Sequence, residues 1–293
     1  MKLLTLNTHS LQEENYLQKL EQFVQTICQE KPDVVALQEV NQSVNAIVAE
    51  QKFLKGYVHC SNNEIPIRKD NHAAQVAFRL FENGITCSWT WISAKIGYGI
   101  YDEGMALLCL NGEIVQTDSF FISECQDYQY WKTRKVLGVQ ISGCKDWFYT
   151  VHMGWWKDEQ EPFLAQWKRF ESALKQKCNT TTVWLMGDFN SPAEIKEQGY
   201  DVIKNSGWYD SYTIAQQKDK GTTVEGSIDG WKDDKHNEQK QKSMRMDYIW
   251  CNKAVPVKYS KVMFNGIKQP KVSDHYGVCI ETNDIKKGRR SYL

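Results

Sequence analysis

Short apolar runs, many of them rich in β-branched residues, recur along the whole chain and constrain its fold more than any other feature. Runs of strand length lie at residues 2–7, 34–37, 74–80, 104–110, 136–141, 147–151, 183–186, 246–250, 257–264 and 276–280. Apolar residues at helical spacing mark two further segments, residues 16–27 and 163–174. This mixture predicts an α/β (α+β) fold in which helices cover stacked, largely mixed sheets.

The size and charge of the chain exclude several classes of protein. Its 293 residues are enough to bury a large core without disulfides or a structural metal. The 36 Lys and Arg residues balance the 36 Asp and Glu residues, so the formal net charge is zero. A protein that binds mainly by neutralising the phosphates of a polymer is expected to be strongly basic. A nucleic acid is therefore not the expected partner.

The organisation of the chain indicates one domain over residues 1–293, because the sequence contains no internal repeat and no Pro- or Ser-rich linker. Residues 216–244 are rich in Lys, Asp, Gln and Gly, which predicts a polar loop insertion. Residues 285–293 form a basic tail that we expect to be solvated.

The N-terminus and the cysteines bear on the compartment. The apolar stretch before Asn7 is too short for the core of a signal peptide, and no run has the length of a membrane span. The nine Cys are odd in number, scattered, and without a C-x-x-C pair, unlike a disulfide framework or a zinc knuckle. We therefore expect a cytoplasmic protein with no membrane partner and no obligate protein partner.

Polar side chains stand at the ends of several apolar runs, where core packing alone does not require them. They are Asn7, Glu39, His152, Asp188, Asn190, Asp274 and His275. If these strand ends converge, they form a site dense in oxygen ligands. Oxygen ligands without paired Cys or His favour a hard cation, Mg²⁺ or Mn²⁺, over zinc.

Glu39 is the best candidate for the primary metal ligand, with Asn7 and Asp274 beside it. A Mg²⁺ held by one or two carboxylates and several waters is a usual partner of a substrate phosphate. Asp274 and His275 are adjacent, so their side chains diverge if they begin a strand. That divergence would direct Asp274 to the metal and His275 to the phosphate, and Asp247 is a plausible carboxylate for orienting His275.

Six short motifs, in order along residues 4–280, resemble those of the endonuclease/exonuclease/phosphatase superfamily. They are LNT (6–8), LQE (37–39), TVHMG (150–154), GDFN (187–190), RMDYIW (245–250) and SDH (273–275). The resemblance implies a four-layer αββα sandwich, with two packed mixed sheets flanked by helices. It also implies a divalent metal and hydrolysis of a phosphoester by an activated water.

The same resemblance implies roles for the individual residues. Asn7 and Glu39 correspond to metal ligands, and Asp274 to a second carboxylate on the metal side. Asp188 and Asn190 correspond to the pair that positions the attacking water. His275, with Asp247 beside it, corresponds to the base or phosphate binder. His152 corresponds to a second histidine, with Glu103 as its partner. Arg134 corresponds to the phosphate-binding arginine. Which of the two histidines acts as acid and which as base stays open.

The substrate is indicated by aromatic residues rather than by basic ones. Arg occurs seven times, and the motif-bearing segments contain no basic cluster of the kind a duplex-binding face shows. Aromatic residues near the motifs are candidates for stacking on substrate: Tyr101, Trp155, Trp156 and Trp231. Trp155 and Trp156 are adjacent, so in an extended chain they point to opposite sides and only one of them is expected to face the substrate.

Further motifs are similar to those of the maltose 6'-phosphate phosphatases, a cytosolic branch of this superfamily. These motifs are LNTHS, LQEVNQ, the Trp89 and Trp91 pair, GYGIYDEGMAL, HMGWW and IDGW. This similarity implies Mg²⁺-dependent release of phosphate from a phosphorylated sugar. Two alternatives remain open: a nuclease or sphingomyelinase-like phosphodiesterase of the same superfamily, and a non-catalytic interaction protein on the same fold. The last would be expected to lack a metal-side or water-positioning residue.

Overall fold

Two β-sheets form the framework of the protein. The computed structural model describes residues 1–61, 63–226 and 243–283, and thirteen strands lie within them. The strands are β1 (Lys2–Asn7), β2 (Val34–Ser43), β3 (Ser88–Gly97), β4 (Tyr101–Cys109), β5 (Ile114–Phe121), β6 (Lys135–Ile141), β7 (Trp147–His152), β8 (Val183–Asp188), β9 (Tyr209–Asp210), β10 (Gln217–Lys218), β11 (Asp247–Cys251), β12 (Val257–Met263) and β13 (Gly277–Thr282).

Five α-helices accompany the strands in the described residues. They are α1 (Tyr16–Glu30), α2 (His72–Glu82), α3 (Phe163–Thr180), α4 (Gly199–Asn205) and α5 (Ser211–Ile214). Short 3-10 helices lie at Ser10–Gln12 and Gln51–Phe53. None of the helices so described is both long enough and apolar enough to cross a membrane.

Both sheets are mixed. The first has seven strands in the order β10-β12-β13-β1-β2-β4-β3, and the second has six in the order β5-β6-β7-β8-β11-β9. The parallel pairs are β1 with β2, β7 with β8, and the short β10 with β12. Because β1 and β2 run in the same direction, both carry their C-terminal residues to one edge of the first sheet, and β7 and β8 do so in the second.

Three apolar layers hold the elements together. Side chains such as Leu107 from the first sheet and Phe148 and Trp184 from the second pack between the sheets. Helices α1 and α2 cover the outer face of the first sheet, and α3 and α4 cover the outer face of the second. The predicted four-layer αββα sandwich is therefore confirmed.

One predicted strand is wrong, because residues 74–80 lie inside α2 rather than in a sheet. Asn71 caps this helix by accepting a hydrogen bond from the backbone N–H of Ala74 at 3.0 Å. The apolar residues also follow helical spacing, with Ala73, Val76 and Leu80 buried against the first sheet. The run is short and densely apolar, and such a run does not by itself distinguish a strand from a buried helix face.

The polar insertion predicted over residues 216–244 is described only at its two flanks, residues 216–226 and 243–244. The flanks pair with each other through a bridge between Val224 and Met244. Thr223 Oγ1 accepts hydrogen bonds from the backbone N–H groups of Met246 and Asp247, at 3.1 and 3.2 Å. Trp231 and the basic tail at 285–293 lie outside the described residues, and the single domain over 1–293 stays a prediction.

Candidate functional site

The strand ends that carry polar residues meet at one edge of the sandwich. Asn7 ends β1 in the first sheet, and Asp188 ends β8 in the second. Asn7 Nδ2 donates to Asp188 Oδ2 at 3.2 Å, and this hydrogen bond joins the two sheets, as does that from Gln38 Nε2 to Thr150 Oγ1 at 2.8 Å. His152 and Asp247 are the strand neighbours of Asp188 on its two sides. The convergence expected from the sequence is therefore present in the structure.

Glu39 is directed into this edge by an irregularity in β2. The pairing of β2 with β4 shifts register between Leu37 and Val40, and Glu39 lies at the shift with a φ of 50°. Its Oε1 accepts a hydrogen bond from Asn7 Nδ2 at 2.8 Å. Burial raises the pKa of Glu39, and the nearby carboxylates of Glu103 and Asp274 raise it further.

His275 and Asp247 form a buried pair. His275 Nδ1 lies 3.0 Å from Asp247 Oδ2, and the other ring nitrogen, Nε2, lies 3.8 Å from Asp188 Oδ2. Burial alone would lower the pKa of His275, but the charges of Asp247 and Asp188 outweigh it and hold that pKa well above its usual value. Asp247 therefore contacts Nδ1 of the ring while Nε2 is turned toward Asp188, and its expected role in orienting His275 stays a prediction.

Asp188 is at the centre of the site and is held from both sides. Its Oδ1 accepts a hydrogen bond from the backbone N–H of Asn190 at 2.8 Å. Asn190 in turn donates from Nδ2 to the Met153 carbonyl at 2.9 Å. Burial raises the pKa of Asp188 to about 7, against the opposing effect of His275.

His152 lies across from His275. Its Nε2 is 3.7 Å from Asp188 Oδ2 and 3.9 Å from Glu39 Oε1. Burial lowers its pKa well below the usual value, and the positive charges of Arg134 and Lys95 act in the same direction. The two histidines therefore present their Nε2 atoms to the same carboxylate oxygen, at distances slightly too long for hydrogen bonds.

Asp274 lies in a second group of side chains, whose other members, His9 and Glu13, the sequence motifs did not indicate. His9 Nδ1 is 2.9 Å from Glu13 Oε1, and that same oxygen accepts a hydrogen bond from the backbone N–H of Asp274 at 3.1 Å. Burial disfavours the charged His9, but Glu13, Asp274 and Glu39 raise its pKa to about 9. The position of His9 directly after the LNT motif was the available sequence signal.

Glu103 lies in β4 beside a lysine that the sequence did not indicate. Lys95 in β3 and Asn41 in β2 are its cross-strand neighbours, so the three residues form one row on the first sheet. Lys95 Nζ is 3.1 Å from Glu103 Oε1, and both residues are buried. Gly97 leaves the space for this carboxylate, because a Cβ there would overlap it. In the described chain no hydrogen bond or ion pair joins Glu103 to His152, so its expected role beside His152 stays a prediction.

Arg134 is buried between the two sheets at the same edge. Its Nη1 donates to the carbonyl of Trp131 at 3.0 Å and to that of Thr133 at 3.3 Å. Its Nε is buried and has no hydrogen-bond partner in the part of the chain that the structure describes. Burial lowers its pKa, and Glu103, Glu39 and Asp188 counteract this effect, which places the guanidinium among the site carboxylates.

The tryptophan candidates lie in two environments, the core and an aromatic rim that we define as Trp131 and Trp155. The rings of Trp131 and Trp155 lie 5.6 Å apart, and Trp155 also packs against Val224, Met244 and Met246. Trp156 instead packs against Phe163, in the core that α3 shares with the second sheet.

Tyr101 belongs to a second aromatic pair. Its ring lies 6.4 Å from that of Tyr98, and Tyr98 is half exposed. Trp156 therefore packs into the core while Trp155 does not, and the expectation that one of the two faces the substrate stays a prediction.

The donors at this edge fit the expected divalent cation. Glu39 and Asp274 offer carboxylate oxygens, the ligands that Mg²⁺ and Mn²⁺ prefer. Asn7 would offer its amide oxygen after a turn of the amide, because its Nδ2 faces Glu39 and its Oδ1 accepts a hydrogen bond from the His9 backbone N–H at 3.2 Å. Burial and the carboxylates of Glu103 and Asp274 raise the pKa of Glu39 despite the opposing charge of His9, and a bound cation would offset that repulsion. Asp188, Asp247 and His275 form a further group with the spacing of metal ligands.

These features together define a class of protein: a two-sheet α/β sandwich with carboxylates and histidines gathered at one edge. Residues 4–275 match the model of the Endonuclease/Exonuclease/phosphatase family, and the chain belongs to that family. Its members are hydrolases, some of them phosphatases, and they use divalent metals. A search of curated protein sequences found no match.

Solved structures share the fold over nearly the whole chain. An endonuclease/exonuclease/phosphatase family protein from Leptotrichia buccalis is 31% identical with a TM-score of 0.82, covering 97% of this chain and 100% of that one. A mannosyl-6-phosphatase from Bacteroides thetaiotaomicron is 15% identical with a TM-score of 0.65, covering 97% and 100%. Truncated Caenorhabditis elegans TDP2 is 16% identical with a TM-score of 0.60, covering 97% of each chain. The last two similarities show the fold alone.

Proposed function

We propose that this protein hydrolyses a phosphomonoester in a Mg²⁺-dependent (or Mn²⁺-dependent) reaction that releases inorganic phosphate. The proposed substrate is a small phosphorylated sugar such as maltose 6'-phosphate. The observation that carries the proposal is the placement of two imidazole Nε2 atoms, from His152 and His275, within 3.7 and 3.8 Å of Asp188 Oδ2. Two imidazole nitrogens and a water-positioning carboxylate thus face one small volume.

The roles of the chain's own residues follow from this geometry. Asp188, held by the Asn190 backbone, is placed to position the attacking water and accept its proton. His275, fixed through Nδ1 by Asp247, presents Nε2 to the phosphoryl oxygens, and His152 presents Nε2 to the leaving oxygen. Asn7, Glu39 and Asp274 would hold the Mg²⁺, which when bound supplies positive charge that polarises the phosphoryl group.

The surroundings of the cleft support a small sugar ester over a polymer. Arg134 provides a buried cation, and the motif-bearing segments contain no cluster of Lys and Arg. The Trp131 and Trp155 rings offer an apolar face at the rim on which the flat face of a sugar could lie. The fold also occurs in a protein described as a mannosyl-6-phosphatase, so it is compatible with this chemistry.

A phosphate-release panel tests the proposal. Maltose, trehalose, sucrose and glucose phosphates are compared with p-nitrophenyl phosphate, and plasmid DNA and sphingomyelin serve as diester substrates, each with Mg²⁺ and with EDTA. We expect at least one disaccharide phosphate to be turned over faster than p-nitrophenyl phosphate, and EDTA to abolish the reaction. Nicking of plasmid or cleavage of sphingomyelin without phosphate release from any sugar would instead identify a phosphodiesterase.

Glu39→Ala gives an independent check on the proposed metal site. We expect the variant to fold and to lose metal-dependent turnover by a factor on the order of 10³ or more. Glu113→Ala is the matched control, because Glu113 lies on the exposed turn before β5. Full activity in Glu39→Ala would remove Glu39 from the site.

A further inference from the structure

Two buried cations share a single acceptor beside the cleft. Lys95 Nζ donates to the Trp131 carbonyl at 2.7 Å, and Arg134 Nη1 donates to the same oxygen at 3.0 Å. Lys95 is 7% exposed and Arg134 is 5% exposed. A shared acceptor therefore holds an ammonium and a guanidinium close together, where they repel each other.

The positive charge of this pair is only partly compensated. Lys95 is paired with Glu103 at 3.1 Å, whereas Arg134 has no ion-pair partner among the described residues, and Glu103, Glu39 and Asp188 act on it only from a longer distance. Arg134 Nε is buried without an acceptor, and an ammonium has three protons of which two are used at Lys95. Buried donors and buried charges of this kind are costly unless a further acceptor binds them.

The pair lies near Glu39, because Lys95 pairs in register with Glu103, and the other cross-strand neighbour of Glu103, Asn41, is two residues from Glu39. Lys95 lies on β3 of the first sheet, and Arg134 lies directly before β6 of the second sheet. The pair is therefore where the two sheets adjoin. Both charges act on His152, whose ring is the neighbour of Asp188 and Glu39. The carbonyl they share belongs to Trp131, which is also part of the aromatic rim.

We infer that Lys95 and Arg134 form a two-cation seat for a phosphoryl dianion, in which Lys95 is a substrate-binding residue that favours phosphomonoesters over phosphodiesters. This inference rests on the proposed function and names the ionic form of the group bound there. A monoester carries close to two negative charges above neutral pH, whereas a diester carries one. The second cation therefore adds most to the binding of the monoester.

Binding of inorganic phosphate, measured by calorimetry at pH 8 in Mg²⁺ buffer, tests the two-cation seat without turnover. We expect Lys95→Met to weaken phosphate binding by roughly tenfold or more, and Lys95→Arg to restore most of it. Lys132→Met is the matched control, because Lys132 adjoins the same Trp131 but has its own partner, Asp158, at 2.7 Å. The control should bind phosphate as the wild type does.

Glu103→Gln separates a binding role from a structural one. Removing this carboxylate leaves Lys95 with more uncompensated charge, so phosphate should bind severalfold tighter to Glu103→Gln. A purely structural ion pair would instead lower stability in both variants and leave phosphate affinity alone. If Lys95→Met fails to fold, the double variant Lys95→Met with Glu103→Gln removes the cation without stranding a buried carboxylate, and it should show the same loss of phosphate affinity.

Methyl phosphate and dimethyl phosphate distinguish the charge states as competing ligands. Lys95→Met should weaken methyl phosphate by roughly tenfold and dimethyl phosphate by less than about threefold. Unchanged phosphate affinity in Lys95→Met, or no measurable phosphate binding to the wild type, would overturn the inference. Failure of the protein to hydrolyse any sugar phosphate would refute the proposed function but not this result, because the calorimetric readout involves no sugar.

Discussion

At the scale of single residues, the site is held in backbone conformations that L-amino acids disfavour. His9, Glu39, Tyr98 and Asn190 have φ values of 48, 50, 52 and 46°. Each such residue costs on the order of 1–2 kcal/mol. Hydrogen bonds such as that from the Asn190 N–H to Asp188 offset part of this cost. Glu39 and Asn190 are two of the nine non-glycine residues with positive φ in the described chain, and both are groups to which we assign function, so stability and activity should trade against each other at these two positions.

Glu39 provides a direct test of this trade. Because glycine accepts a φ near 50° and alanine does not, Glu39→Gly should be more stable than Glu39→Ala by about 1 kcal/mol. Both variants should be inactive. Urea unfolding of the two proteins measures the difference, and a Glu39→Ala variant at least as stable as Glu39→Gly would show that the backbone is unstrained there.

A small change at Asp247, the partner of His275, should have a large effect on kcat. Asp247→Asn keeps the size of the side chain but removes the charge that orients the ring, so kcat should fall by roughly 10² to 10⁴ while KM changes little. Asp118→Asn is the control, because Asp118 binds Tyr149 and Lys177 on the far side of the second sheet. Steady-state kinetics of the two variants decide the point, and equal activities would remove Asp247 from the mechanism.

Sequence patterns predict the strand-end residues of this site far better than those inside strands. Asn7, Asp188 and His275 interrupt apolar runs, so their positions stand out without any knowledge of the sheets. Lys95 lies within a strand, and its partner Glu103 comes from the neighbouring strand, so their contact depends on register. Register is a tertiary property, and nothing in the local sequence around Lys95 shows it.

At the scale of elements, α2 shows how a polar residue can belong to the core. His72 begins this helix, is buried, and has one ring nitrogen 3.0 Å from the Tyr16 hydroxyl and the other without a partner in the described chain. Burial lowers its pKa to about 3, and the charge of Arg79 adds to the effect. This histidine therefore serves the packing of α1 and α2 in its neutral form.

This neutral histidine makes stability depend on pH. The unfolded chain takes up a proton at His72 below about pH 6.5 while the folded chain does not until about pH 3, so stability is lost as the pH falls through this window. Relative to His72→Gln, the wild type should lose about 1.4 kcal/mol of unfolding free energy per pH unit below pH 6. Urea titrations of both proteins at pH 7, 6 and 5 measure this, and a constant difference between them would contradict it.

The segment after β7 places two neighbouring tryptophans in different environments. Trp155→Ala should raise KM for maltose 6'-phosphate about tenfold with little change for p-nitrophenyl phosphate, because only the sugar would contact this ring. Trp156→Ala should lower the unfolding free energy by roughly 3 kcal/mol and leave KM unchanged, because its ring packs on Phe163. Steady-state kinetics and urea unfolding of the two variants distinguish these roles. A raised KM in Trp156→Ala together with a loss of stability in Trp155→Ala would assign the two roles the other way round.

At the scale of the whole molecule, a formal net charge of zero conceals local imbalance. Carboxylates outnumber cations at the edge where Glu39, Asp188 and Asp274 meet, and cations outnumber carboxylates where Lys95 and Arg134 meet. The excess of carboxylates favours the binding of a divalent cation, and the excess of cations favours the binding of a phosphate. The αββα arrangement brings both together because one edge of each sheet collects the ends of its parallel strands.

The central claim is most directly tested by the ratio of two specificity constants, kcat/KM for maltose 6'-phosphate and for bis(p-nitrophenyl) phosphate, measured with Mg²⁺ on the wild-type protein. A cleft built for a small sugar phosphomonoester should favour the sugar phosphate by a factor on the order of 10² or more. EDTA should abolish turnover of the sugar phosphate. A ratio near one, or a preference for the diester, would contradict the account and assign this cleft to phosphodiesters.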